Sequence, residues 1–315
     1  MRILRTALLV GGLTGMLAAC GSSTNPFITN SDPADNGTDG TGTNANGIPE
    51  AVAGNLERVS YSPGAGTITV EGIDLDDAPF EAVYNRNSAL DVPGYQAYTI
   101  QDDPLDRHVT AYAAQSGNSG SARGVLVVTG GQFNRYFGGV YYERDGNYSP
   151  ATGQVSYAGS YVGVTNVGHL GGDLLPVPAG TDPTLLPYQA AEVRGSVFLN
   201  ANFDDNAVNG GIYALSMPDA NMTLPSLALI ATDIASDGSF SGEIEYTGVV
   251  GTSIGTYSGL FSGPNSESVV GGVRLTEFDG SDSPRWDNEE QYGLFVLDQC
   301  GTASGTAPEC SSVNP

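Results

Sequence analysis

From Gly153 onward the chain alternates large or small apolar residues with polar ones at a period of two. Gly153, Val155, Tyr157, Gly159, Tyr161 and Gly163 share one parity. Gly195, Val197, Leu199, Ala201 and Phe203 repeat the pattern, and Val208, Gly210, Ile212 and Ala214 return after an Asp204-Asp205-Asn206 turn. Leu227–Thr232 is a nearly continuous apolar run. Asp237-Gly238 then leads into Phe240, Gly242, Ile244 and Tyr246, with Ser239, Ser241, Glu243 and Glu245 on the other parity. In Gly255–Leu275 the residues Gly255, Tyr257, Gly259, Phe261 and Gly263 face one way, and Leu260 breaks the polar set opposite. Pro264-Asn265 reverses the chain, because Pro presets φ and Asn tolerates the left-handed region. Val269, Gly271, Val273 and Leu275 follow, and Tyr292–Leu297 comes last. Successive side chains of a strand point to opposite faces, so these runs predict eight strands with mostly short connections. That is the number at which a closed up-and-down barrel is filled by its own side chains.

The facing decides between two kinds of barrel. A membrane-spanning barrel is apolar outside and polar inside. Here Tyr, Phe, Val and Gly share one face and Ser, Glu, Gln, Asn and Arg the other. Glu243 and Glu245 facing lipid would be costly. The pattern therefore predicts a soluble barrel whose inward glycines leave room for neighbouring Tyr and Phe rings.

The stretch 51–150 is less regular. Its candidate strands are Arg58–Tyr61, Thr67–Gly72, Phe80–Asn85, Tyr95–Ile100, His108–Ala113, Gly124–Thr129 and Phe137–Glu143. Gly138-Gly139-Val140-Tyr141-Tyr142 is placed to end that sheet. No long amphipathic helix is legible, so the fold class expected is all-β: a soluble eight-stranded antiparallel up-and-down barrel (151–299) preceded by a smaller β subdomain (51–150).

The N-terminus changes the picture from a free protein to an anchored one. Arg2 and Arg5 precede an apolar run, Ala7–Met16, and Leu17-Ala18-Ala19-Cys20 closes it with small residues before a cysteine. Residues 1–20 read as a lipoprotein signal that would leave Cys20 acylated. The alternative is an ordinary signal cut after Ala19. Leu17–Cys20 resembles the lipobox of bacterial lipoproteins, and by the same resemblance Gly21, where no Asp stands, implies the outer membrane rather than the inner one. Residues 21–50 are rich in Gly, Ser, Thr, Asn and Asp and read as a flexible tether. Asp32, Asp35 and Asp39 within it lack the spacing of a calcium loop.

Composition narrows the partners. The 315 residues carry 35 acidic side chains against 11 basic ones, a net charge of −24, and every basic one is Arg. Such a surface repels nucleic acid and anionic headgroups. It suits solubility or a cationic ligand. Cys300 and Cys310 stand ten positions apart in a Gly/Ser/Thr/Pro tail, 300–315, and in an exported chain read as a disulfide that clips it.

The segment Gly259-Leu-Phe261-Ser-Gly263-Pro264-Asn265, with Gly271 beyond it, resembles the G-x-F-x-G-P-N-A-x-E-x-x-G signature of the transferrin-binding protein B family. Ser266 stands where Ala is usual and Ser268 where Glu is usual, with Glu267 one place earlier. Phe203–Ile212 and Gly153–Gly163 resemble two earlier parts of the same barrels, in the right order. The resemblance implies a lipid-anchored barrel in the outer membrane, held at its periplasmic or cell-surface face. It also implies a non-catalytic binding role in nutrient or metal acquisition, iron included. It does not carry over transferrin as partner, because no loop motif matches.

Catalytic candidates are few. His108 lies near Asp102 and Asp103 and reads either as part of a metal or acid–base cluster or as a polar loop entering a strand. His169, in a Gly-rich loop, is a metal or haem ligand or simply exposed. Asp76-Asp77, Asp102-Asp103, Asp204-Asp205 and Glu289-Glu290 pair carboxylates where turns are expected. Arg285 and Trp286, in the acidic stretch 277–290, carry the only tryptophan and are the candidate ligand-binding residues, or else Trp286 caps a barrel end. No catalytic residue, metal ligand or cofactor is assigned. The partners expected are a membrane through Cys20 and an unidentified protein or small molecule, and not nucleic acid. The readings that compete with a binder are a structural acidic envelope protein and an exported hydrolase.

Overall fold

The alternating runs fold as antiparallel strands throughout a computed structural model that describes residues 43–44, 46–73, 79–118, 120–132, 136–169, 171–276 and 290–313. Cys20 and the rest of 1–42 lie outside the described residues, as do Asp76, Asp77, Arg285, Trp286 and Glu289. The one α-helical turn among the described residues is α1 (Glu50–Ala53).

The first half makes a seven-stranded meander: β1 (Leu56–Ser60), β2 (Thr67–Ile73), β3 (Pro79–Arg86), β4 (Gln96–Ile100), β5 (Val109–Gln115), β6 (Ala122–Thr129) and β7 (Gly138–Arg144). All seven expected strands are present. The sheet curls until its edges nearly meet. The Asn55 amide, just before β1, donates to the Gly138 carbonyl at 3.0 Å, so Gly138–Tyr142 does end the sheet.

The second half comprises β8 (Gln154–His169), β9 (Gln189–Asn202), β10 (Ala207–Met217), the two-residue β11 (Met222–Thr223), β12 (Leu227–Asp233), β13 (Ser239–Tyr246), β14 (Ser253–Ser262), β15 (Ser268–Thr276) and β16 (Glu290–Gln299). β9 pairs with both β8 and β10, which closes a ring of eight strands, with β11 a short flank on β10. Closure removes the unpaired edges that an open sheet presents.

Its interior is built as the alternation requires. Tyr157, Tyr161, Tyr257, Phe261 and Phe295 are fully buried there among Val197, Leu199, Ile212, Val273 and Leu297. Glycines make the room. A Cβ on Gly293 would lie 1.9 Å from the Tyr161 hydroxyl, and one on Gly271 would lie 2.3 Å from the Phe295 ring. At the Gly263-Pro264-Asn265 turn, Asn265 (φ 55) and Ser266 (φ 53) both take the left-handed region. The buried Ser266 carbonyl accepts the Tyr157 hydroxyl at 2.6 Å, which ties the turn to the barrel interior.

Three features depart from the pattern. The outer face is not polar all round. On β8, β15 and β16 it carries Val162, Val164, Val270 and Leu294, all buried in one cluster with the first sheet, and Leu260 packs against that cluster too. The parity of β10 does not survive to its end, because Ala214 takes φ 53 at a bulge and Leu215 and Met217 become the buried residues. Glu245 points outward as expected, but it is buried, and its Oε1 accepts the Gly251 amide at 2.8 Å.

Tyrosine hydroxyls pin the two sheets together. Tyr142 on β7 donates to Ser258 Oγ at 2.8 Å, and Tyr136 donates to the Val164 carbonyl at 3.2 Å. Cys300 and Cys310 form the expected disulfide, with Cα atoms 5.1 Å apart.

Candidate functional site

Antiparallel order sorts the barrel connections into two ends. Segments 203–206, 234–238 and 263–267 turn at one end, and 170–188, 218–226, 247–252 and 277–289 join strands at the other. Thr43, Asn46, Gly47 and Pro49 pack near the first end, beside Asp237, Ser239 and Arg144, in a groove of about 530 Å³. The exposed large hydrophobic side chains among the described residues are unevenly shared. Leu175, Val177, Leu185, Tyr188, Met222, Val249 and Val250 all sit in connections or strand flanks of the second end, and only Val83 lies elsewhere. Val250 is 91% exposed at the tip of the β13–β14 hairpin. Arg285 and Trp286 belong to the 277–289 connection and lie outside the described residues.

A cleft of about 380 Å³ opens near this end, at the seam between the two sheets. β5 contributes Thr110 and Tyr112, β9 contributes Gln189, Ala190, Glu192 and Arg194, and the connections contribute Leu90, Asp173 and Asp219. Glu192 is held by three donors. The Tyr112 hydroxyl donates to its Oε2 at 3.1 Å, Arg194 Nη2 donates to the same oxygen at 3.2 Å, and Arg194 Nε donates to Oε1. Burial, and then the Glu192 charge, push the Tyr112 phenol far above its ordinary range, so it stays protonated as a donor. The hydrogen bond to Glu192 raises the Arg194 guanidinium further. Asp173 accepts from Asn87 Nδ2 at 3.0 Å on each oxygen and meets His108 Nε2 at 2.9 Å. Its own amide donates to Gln189 Oε1 at 3.2 Å. Thr110 is 3% exposed, and its Oγ1 has no protein partner.

The sequence candidates are distributed differently from expectation. His108 does stand in the loop that enters a strand, immediately before β5, but its side chain is buried and its partner is Asp173 rather than Asp102 or Asp103. The two aspartates sit in an exposed turn. The backbone of His169 closes β8 opposite Gln189, and its side chain lies outside what is described. Asp204 and Asp205 cap a hairpin, accepting from the Gly153 amide at 3.1 Å and Asn202 Nδ2 at 2.5 Å. Glu290 is not in a turn: it opens β16, where its Oε1 lies 2.7 Å from Arg274 Nε. No group of three His, Cys, Asp or Glu side chains among the described residues is arranged to hold a metal ion. No helix among them is long and apolar enough to cross a membrane. The cleft residues Tyr112, Glu192 and Arg194 went unsingled in the sequence. The signal present was the i, i+2 charged pair on the outward parity of β9, opposite the apolar Val193.

The strand register thus defines an all-β protein made of a closed eight-stranded barrel against a curled seven-stranded sheet. No family model and no curated protein matches the chain. Among solved structures it is similar to intact Ap-TbpB with its N and C lobes, at 12% identity and TM-score 0.36, over 78% of this chain and 55% of that one. A transferrin binding protein B double mutant from Haemophilus parasuis Hp5 matches at 12% identity and TM-score 0.37, over 78% and 54%. The N-lobe domain of lactoferrin binding protein B of Moraxella bovis matches at 14% and 0.32, over 77% and 96%. The chain therefore spans about half the length of the two transferrin binding protein B structures. The first two carry the name of the family that the barrel motifs resemble, and the fold itself rests on the register described above.

Proposed function

We propose that this chain is an outer-membrane lipoprotein, anchored through an acylated Cys20, with a non-catalytic binding role in nutrient or metal acquisition. The observation that carries this reading is the segregation of exposed apolar side chains. Among the described residues seven of the eight lie at the barrel end opposite the one where Thr43, Asn46, Gly47 and Pro49 pack. A chain leashed from its N-terminal side presents that rim outward, and the gathering of exposed apolar residues in its connections supports an interaction role there. Arg285 and Trp286, in the stretch of sequence between β15 and β16, are residue types favoured as binding anchors. The acidic balance of the chain directs the rim toward a cationic partner.

Membrane fractionation of wild type and Cys20→Ala tests this. The wild type is expected in the outer-membrane fraction and the variant released in soluble form. A protease site inserted at Gly248 is expected to be cut more readily than one at Asp205. Retention of the Cys20→Ala protein in the membrane, or equal cleavage at both sites, overturns the reading. Proper anchoring together with indifference of all ligand capture to Val250→Asp and Trp286→Ala favours the structural envelope role instead.

A further inference from the structure

We propose that the cleft between β5 and β9 is a binding site for a small organic cation, a primary ammonium on a short alkyl stem. This goes beyond the proposed function by giving the protein a second, small-molecule site, set in the seam beside the rim. It shares with that reading only the idea of a binding role, and it stands whether or not Cys20 is acylated.

Three observations converge. The first is charge. Asp173, Glu192 and Asp219 line one cleft with Arg194 as the only Arg in its wall among the described residues. The excess is negative, and the walls are partly buried, where an opposite charge is screened less than at an open surface. The second is an orphan. Thr110 lines the same cleft, buried, with a hydroxyl that no protein atom satisfies. Neighbouring threonines of a strand ordinarily point to water or bond the backbone, and an unsatisfied buried hydroxyl calls for a partner of another kind. The third is the apolar part of the lining. Leu90, Val164 and Ala190 offer a surface for methylenes beside the polar groups.

The same residues argue against a metal ion. Asp173 already accepts from Asn87 and His108, and Glu192 from Tyr112 and Arg194, so neither presents a bare carboxylate to a cation that strips its ligands of other bonds. A cation such as an ammonium needs one lone pair from each of several acceptors and has three protons to give. Asp173, Asp219 and Gln189 or Thr110 can each take one. The volume of about 380 Å³ lies at the lower end of ligand pockets, suited to a few carbon atoms and their polar ends.

Calorimetric titration of the mature chain with 1,4-diaminobutane in 0.15 M salt is the test, with 1,4-butanediol and magnesium chloride as parallel titrants. Saturable binding of the diamine is expected, with at least tenfold weaker binding of the diol and of magnesium. Asp219→Asn and Thr110→Val are expected each to weaken the diamine fivefold or more, while Asp204→Asn at the far barrel end leaves it unchanged. Far-UV circular dichroism and melting of every variant show that the fold is kept. Should Thr110→Val fail to fold, Asp219→Asn alone decides, because its side chain is exposed. The proposal is overturned by an absence of saturable binding for diamines and monoamines of three to six carbons, by tighter binding of magnesium, or by insensitivity to Asp219→Asn. None of these outcomes bears on fractionation of the anchored protein, so the two readings fail separately.

Discussion

The Tyr95 hydroxyl of the first sheet donates to the Ser160 carbonyl of the barrel at 2.7 Å, inside a gap in the barrel's own ladder. Pairing of β16 with β8 runs through Phe295 with Tyr161 and resumes at Asp298 with Ala158. In the interval the Val296 amide donates to the same tyrosine hydroxyl at 3.3 Å. One side chain thus replaces a missing rung and joins the two sheets. Tyr95→Phe leaves the half-buried Val296 amide and Ser160 carbonyl without that partner. The expected loss is about 1–3 kcal/mol, read as a lower urea midpoint at unchanged slope.

Arg274 and Glu290 bracket the 277–289 connection with a buried ion pair, Nη2 to Oε1 at 2.5 Å. Burial lowers the Arg274 guanidinium, but Tyr292 and Glu290 outweigh it and hold the group above its ordinary value. Removing one partner strands the other charge. Glu290→Leu alone is expected to cost about 3–5 kcal/mol, whereas Arg274→Met with Glu290→Leu recovers much of that loss. Chemical denaturation of the double-mutant cycle checks both, and additive single losses would contradict the pairing.

The glycines of the barrel interior predict an asymmetry. Gly293→Ala drives a methyl into the Tyr161 hydroxyl and is expected to cost about 1–3 kcal/mol by overpacking. Gly66→Ala, where an added Cβ meets nothing within 4 Å, is expected to stay within about 0.5 kcal/mol. Melting temperatures of the two variants give the comparison directly.

Tyrosine ionisation sets an alkaline limit. Burial, with Tyr98 next, pushes the Tyr61 phenol from 10.0 up to about 12. Burial, with Glu143 next, does the same for Tyr141. A folded pKa above the unfolded one means that the native state holds the proton more tightly. The stability so gained is fully present below pH 10 and is lost as pH rises through about 12. Absorbance at 295 nm is expected to show these phenols titrating together with loss of the far-UV signal. A separate early step near pH 10 for all tyrosines would contradict their burial.

What the chain shows on reading is what repeats at a period of two. The eight barrel strands, the first sheet's seven, the Asn265 turn and the inward Tyr157 and Phe261 all follow from alternation and from local turn chemistry. Leu260 looked like an error in the pattern and is instead a contact with the other sheet. The bulge at Ala214 left no mark, because a left-handed φ at Ala is imposed by its neighbours and not by its own preference. The cleft was illegible for a different reason. Asp173 stands 65 positions from His108, and Tyr112 stands 80 from Glu192. Nothing in either local pattern says that they meet. Only the docking of one sheet on the other brings them together.

The entry of the chain into the fold has a mechanical consequence. Residues Ile48 and Val52 are buried and the Asn55 amide is bonded to Gly138, so the stretch before β1 is wedged between the sheets and not hung from them. Tension applied from the N-terminal side is borne first by this wedge and by the closure of β1 against β7. The barrel strands lie beyond it, in a ladder with no free end from which to peel. Force that enters the fold from its N-terminal side therefore meets the seam's near end before it reaches the closed barrel ladder.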